Sequence, residues 1–197
     1  MKTKQPIRSI FVENAAFSDQ VDLTGVSELS INLVGAQLAI IGTTENSATL
    51  RVQGRTSRLP QWRVVGTRLE LVSQGLLPLF KQKEGIKIEL LVPSHLVTTV
   101  KCWAGALWLE NLRGPIKIKL GAGSIEGHNL GETDVKCRVG SVFLDGLNGS
   151  SKVCVGVGEA RLSWERFDQE SRAHCKVWLG GRVLQFPQTQ TLPAPSM

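Results

Sequence analysis

Apolar and polar positions alternate along most of this chain. Leu29, Ile31 and Leu33 are separated by single residues, and so are Leu38 and Ile40, Leu50 and Val52, Trp62 and Val64, and Leu69 and Leu71. Ile86, Ile88 and Leu90 follow the same rule. A period of two sends one set of side chains to one face of an extended strand. The runs are short and end in Gly, Asn, Ser or Pro, which are turn signals. No window of a dozen residues keeps apolar positions at i, i+3, i+4 and i+7, so helices are not expected. The pattern predicts an all-β chain. One stretch, Ser73 to Lys83, breaks the rhythm and reads as a loop with an apolar knuckle over a sheet end.

From Val100 onward the alternation repeats. The segments beginning at Val100, Ile118, Val135, Val153 and Cys175 each run apolar, polar, apolar and reach a glycine five residues on, at Gly105, Gly123, Gly140, Gly158 and Gly180. The first four glycines are spaced 18, 17 and 18 residues apart, and Gly114, Gly131 and Gly149 keep the same period. The fifth copy comes late because Trp164 to Ala173 is inserted before it. Such a period leaves room for two short strands and two turns. One coil cannot bury its apolar side alone, so coils must stack, about 4.8 Å apart. The prediction is a flattened, β-helix-like parallel β-solenoid with about 17–18 residues per coil and a less regular β N-terminal half.

Alternation then assigns inward columns. The first is Val100, Ile118, Val135, Val153 and Cys175, and the second is Cys102, Leu120, Cys137, Val155 and Val177. The third is Ala104, Ala122, Val139, Val157 and Leu179, which places Val139 and Val157 side by side in the core. The second strand supplies Leu107, Ile125, Val142, Ala160 and Val183, then Leu109, Leu144 and Leu162, with Gly127 as the exception. The predicted organisation is a tail at 1–8, one β-solenoid domain at 9–186 with regular coils over about 99–186, and a Pro-containing tail at 187–197.

The run Gly85-Ile86-Lys87-Ile88-Glu89-Leu90-Leu91-Val92-Pro93, followed by Gly-rich coils containing Ala-Gly-Ser-Ile and Val-Gly-Ser-Val, resembles the putative-adhesin domain family of bacteria. The resemblance spans roughly residues 9 to 186. It implies a Gly-repeat β-solenoid of largely unassigned molecular function and brings no functional residues with it.

Composition narrows the chemistry. The 197 residues carry a net charge of +6, a milder basicity than dedicated nucleic-acid binders show. There is no apolar stretch fit for a signal peptide or a membrane span, so the expectation is cytoplasmic, with reduced thiols at Cys102, Cys137, Cys154 and Cys175. Cys102 and Cys137 share an inward column but stand two coils apart, too far for a disulfide. Cys154 falls on the outward parity. His95, His128 and His174 show no metal-ligand spacing, and the glycines precede no helix, so no metal and no cofactor is expected. The carboxylates Glu110, Glu126, Asp145 and Glu159 fall on different coils and in different columns. A glycosidase would need them clustered, so no enzyme is expected and no catalytic residue is assigned.

The outward positions do form a pattern. Lys101, Lys119, Lys136 and Lys176 stand one per coil, interrupted by Cys154, and beside them run Trp103, Arg138 and Trp178. The second strand exposes Trp108 and Phe143 among acidic residues. Exposed large aromatics mark interfaces. The sequence therefore reads as a non-enzymatic structural or protein-interaction module of adhesin-like β-solenoid type, open to self-association. The alternative is a binder of an anionic polymer (acidic polysaccharide, nucleic acid or lipid surface) through the lysine ladder.

Overall fold

A computed structural model describes residues 17–53, 60–72 and 86–187. Among them are eleven strands and no helix: β1 (Phe17–Asp22), β2 (Glu28–Thr43), β3 (Ser47–Gln53), β4 (Gln61–Val65), β5 (Arg68–Val72), β6 (Lys87–Pro93), β7 (Val97–Glu110), β8 (Ile116–His128), β9 (Thr133–Asn148), β10 (Ser151–Arg166) and β11 (Ala173–Gln185). The all-β expectation holds. The strands form one large, mostly parallel sheet in the order β1-β3-β6-β2-β7-β8-β9-β10-β11, with β5 also on β2 and β4 on β5.

The long strands cannot be straight. Parallel neighbours ordinarily need a crossover of about a dozen residues, yet only residues 149–150 separate β9 from β10. Sixteen extended residues span roughly 50 Å, whereas that link spans roughly 10 Å. Ser151, at the start of β10, nevertheless pairs with Thr133, at the start of β9. The end of β9 must therefore lie near its own beginning, so the strand doubles back as two arms. The bend falls at Gly140, whose φ is +141°, and at the equivalent Gly105, Gly123, Gly158 and Gly180, with φ between +133° and +152°. These glycines pair in register through the stack.

The register fixes the columns. Val100, Ile118, Val135, Val153 and Cys175 pair in sequence and are all buried. Cys102, Leu120, Cys137 and Val155 are buried in the second column, and Val177 is half-buried. On the second arm Leu107, Ile125, Val142 and Ala160 are buried, as are Leu109, Leu144 and Leu162. Both arms feed one hydrophobic core.

Two expectations are corrected. The third column does not point inward: Val139 is 52% exposed, Val157 46% and Leu179 67%. Ala122 is exposed and Ala104 half-buried. Cys137 and Val142 both face the core but are five residues apart, an odd number, so the alternation changes phase through the bend. Val139 is left on the outside of the corner. Val183 is also displaced: Arg182 pairs with Ala160, Val183 with Arg161, and Leu184 with Leu162. The terminal strand thus puts Arg182 at the position that Val142 and Ala160 hold in the preceding strands. Arg182 Nη1 donates to the Cys175 carbonyl at 2.9 Å.

The N-terminal half has the irregularity expected of it, for a definable reason. β2 pairs with β7 from Glu28 to Ile41, and on its other side with β5 and then with β6, all parallel. β5 and β6 together cover β2 as one bent strand would, with residues 73–86 between them. Antiparallel strands finish this end: β4 on β5, β3 on β6 and β1 on β3. Arg51 on β3 pairs with buried Glu89 on β6 at 2.8 Å, directly across the ladder. The expected loop at Ser73 to Lys83 lies outside the described residues, as do the expected tail at 1–8, residues 9–16 of the expected domain, and residues 188–197 of the expected C-terminal tail. No helix long and apolar enough to cross a membrane occurs among the described residues.

Candidate interaction surface

The outer face of the first arms is set by the residues between the buried columns. Lys101, Lys119, Lys136, Cys154 and Lys176 pair in register, one per strand. All four lysines are exposed, and Cys154 is half-buried. None of the four is in an ion pair among the described residues. The backbones of neighbouring strands stand about 4.8 Å apart, and unit charges at that separation repel by about 1 kcal/mol in water, less with salt.

Two residues further along, large side chains alternate with glycine: Trp103, Gly121, Arg138, Gly156, Trp178. Trp103 is 64% exposed and Trp178 is 73% exposed. A Cβ on Gly121 would meet the Trp103 carbonyl oxygen at 2.3 Å, so the backbone closes up where the side chain is missing. Lys176 Nζ lies 3.8 Å from the centroid of the Trp178 ring, a cation–π contact at the last strand. Across β2 and β7–β9 the face forms an open groove of about 520 Å³, lined in part by Lys101, Lys119, Lys136, Arg138 and Trp103, with no carboxylate in its wall.

Trp108 and Phe143 do not join this surface. They lie on the second arm, in the column Trp108, Glu126, Phe143, Arg161. Both are half-buried and already engaged. The Trp108 ring packs against His128 at 4.9 Å between centroids, and its Nε1 donates to Glu110 Oε2 at 3.4 Å. The Arg161 guanidinium lies 5.5 Å from the Phe143 centroid and donates to Glu159 at 3.2 Å. The nine candidate residues thus divide into seven on a basic face and two on an acidic one.

On the acidic face the second arms of β7, β8 and β9 carry one carboxylate each, Glu110, Glu126 and Asp145, and that of β10 carries two, Glu159 and Glu165. The expectation of four separate columns is corrected, because Glu110, His128 and Asp145 share one. Glu110 and Asp145 remain two strand spacings apart, roughly 9–10 Å along the backbone.

The thiols follow their parity. Cys102, Cys137 and Cys175 are buried, and all four cysteines are free. Burial pushes the thiols of Cys102, Cys137 and Cys175 up from their ordinary range, which keeps them protonated and unreactive. Leu120 stands between Cys102 and Cys137 in the stack. Among the described residues no group of three or more His, Cys, Asp or Glu side chains could hold a metal ion.

The sequence reading missed an asparagine ladder at the second turn. Asn111 and Asn129 follow β7 and β8 directly with φ of 56° and 52°, and Gly146 holds the equivalent position in β9 with φ of 65°. Asn129 Nδ2 donates to Asn111 Oδ1 at 2.7 Å, and Asn148 Nδ2 to Asn129 Oδ1 at 3.3 Å. The signal was present as Asn111-Leu112 and Asn129-Leu130, 18 residues apart, followed by Leu147-Asn148 in the reverse order.

No protein-family model matches this chain, and no curated protein matches it. Solved structures do. A structure described as a putative cell adhesion protein from Clostridium sporogenes is 16% identical with a TM-score of 0.46, covering 87% of this chain and 99% of its own. A putative adhesin from Bacteroides fragilis is 13% identical with a TM-score of 0.32, covering 87% and 96%. A putative lipid binding protein from Parabacteroides distasonis is 11% identical with a TM-score of 0.27, also covering 87% and 96%. None of the three reaches a TM-score of 0.5, and the functional reading rests on this chain's own surfaces.

Proposed function

We propose that this protein is a non-enzymatic interaction module, a flattened β-solenoid that docks on the acidic face of a protein partner through its first-arm surface. The observation that carries the reading is the pair Trp103 and Trp178, largely exposed within a row of cations. Leaving two indoles in water forgoes about 1.5–3 kcal/mol each relative to burial. Such a cost fits a surface that is covered in use, where Trp and Arg anchors dominate binding energy. The bent, in-register strands support the solenoid reading, since each supplies a coil whose apolar columns complete those of the next. The carboxylates of the second arms, Glu110, Glu126, Asp145, Glu159 and Glu165, are spread over four strands.

A second reading, binding of an anionic polymer, is favoured by one observation. The groove lined by Lys101, Lys119, Lys136 and Arg138 runs across four strands without a carboxylate. Capture of binding proteins by the full chain separates the two. With a protein partner, Trp103→Ala with Trp178→Ala lowers capture at least tenfold, as loss of anchors of 2 kcal/mol or more implies. Unchanged capture by that variant defeats the first reading. Strong retention on heparin that disappears with Lys101→Glu, Lys119→Glu and Lys136→Glu, alongside no protein capture, establishes the second, because such contacts act by counterion release.

A further inference from the structure

Both outer faces repeat at the spacing of the strands, and they carry opposite charge. On the first arms of β7, β8 and β9 stand Lys101, Lys119 and Lys136. On the second arms of the same strands stand Glu110, Glu126 and Asp145. Both arms bury their other side chains in one core, so the two outer faces look away from each other. No residue of either trio is in an ion pair among the described residues.

We propose that the partner of the first-arm face is the second-arm face of another copy of this chain. This rests on the reading of the first-arm face as a docking surface and names its occupant. The fit follows from a shared ruler. Strand pairing sets the rise of the lysine ladder and of the carboxylate series alike, at about 4.8 Å. Two copies laid side by side with stacks aligned bring a lysine within reach of a carboxylate at one strand, and the match then repeats at the next. Glu126 lies one column away from Glu110 and Asp145, an offset of roughly 7 Å along the strand, which flexible lysine stems absorb. Of the basic side chains that stand among these carboxylates, Arg161 is tied to Glu159 at 3.2 Å and the His128 ring packs on Trp108.

Such an interface is heterologous. A copy that uses its basic face keeps its acidic face free, so association continues into a row rather than closing at two. Opposed charge columns also make the contact salt-sensitive, since screening acts over about 10 Å at 0.1 M.

The test is mass in solution by sedimentation, over protein concentration and at low and high salt. The unmodified full chain is expected to exceed the 21.5 kDa of one copy at low salt, to grow with concentration, and to return to one copy at high salt. Lys101→Glu with Lys119→Glu and Lys136→Glu has two acidic faces and stays single. Glu110→Lys with Glu126→Lys and Asp145→Lys has two basic faces and also stays single. An equimolar mixture of the two variants restores the heavy species. The single change Lys119→Glu, at an exposed site, keeps the test available if a triple variant misfolds, and lowers the assembled fraction. A wild-type chain that stays at one copy throughout overturns the proposal, as does a mixture that stays single. If Trp103-dependent capture of a different protein persists while the chain is single, self-docking alone has failed and the first-arm face remains a docking surface.

Discussion

A Cβ placed on Gly140 would sit 1.7 Å from the carbonyl oxygen of Gly123, at a backbone φ of +141°. Two penalties coincide there, a left-handed conformation that side chains avoid and a stack too close to admit one. Gly140→Ala is therefore expected to cost about 3 kcal/mol or more, among the larger effects of single changes. Gly181 is the matched control. It is the next residue after the same bend in β11, and a Cβ there meets nothing within 4 Å. Gly181→Ala should stay within about 0.5 kcal/mol of wild type. Chemical denaturation measures both, and equal midpoints would show that the bend does not depend on glycine. The same geometry governs the thiols: Cys102 and Cys137 sit before the bend on the inward parity, whereas Cys154 sits on the outward one.

At the scale of one bent strand, the alternation revealed the first two inward columns but not the third, whose residues stand just before the bend glycine and are not buried. Val135 and Cys137 are buried where the alternation put them, and Lys136 is exposed between them. Counting by twos fails where the strand turns into a glycine at positive φ, because the pleat is not preserved there, and Val139, just before Gly140, emerges outside. Val183 was misplaced for a different reason: two residues past Gly180 the repeat reaches Arg182, and it is Arg182 that pairs with Ala160. The antiparallel finish was hidden for another reason. Nothing local in Ser47–Gln53 distinguishes a strand that pairs antiparallel with Lys87–Pro93 from one that continues a parallel stack. The lysine column was legible, and so was its separation from Trp108 and Phe143, which the alternation put on the second strand among acidic residues. The asparagine ladder lends itself to a test at this scale. Asn129 supplies both an unusual φ of 52° and two side-chain hydrogen bonds, to Asn111 and from Asn148. Asn129→Ala loses both and is expected to cost about 2 kcal/mol, whereas Asn129→Gly keeps the backbone and costs about 1 kcal/mol. If the two variants melt alike, the φ contributes nothing and the ladder alone holds the turn.

The whole molecule has two unlike ends, and stability should fall from one toward the other. Short antiparallel strands finish the β1 side, with Leu50 and Val52 of β3 fully buried. On the other side β11 pairs only with β10 among the described strands. One column makes the difference visible: Leu144 is 2% exposed, Leu162 0% and Leu184 36%. The chain offsets part of this loss. Arg182 reaches back to the Cys175 carbonyl, and Trp164, Phe167 and Phe186 form an aromatic cluster, with Trp164 and Phe186 stacked at 4.8 Å. In a stack where each strand contacts only its neighbours, the last one is stabilised from one side alone. Leu162→Ala is expected to cost about 2–5 kcal/mol, while Leu184→Ala costs less than about 1 kcal/mol. Native-state hydrogen exchange gives the independent measure: amides of β11 should exchange fastest, those of β10 more slowly, and those of β8 and β9 close to the global limit. Uniform protection from β7 through β11, with Leu184→Ala as costly as Leu162→Ala, would mean that this end is covered in solution and that the gradient does not exist.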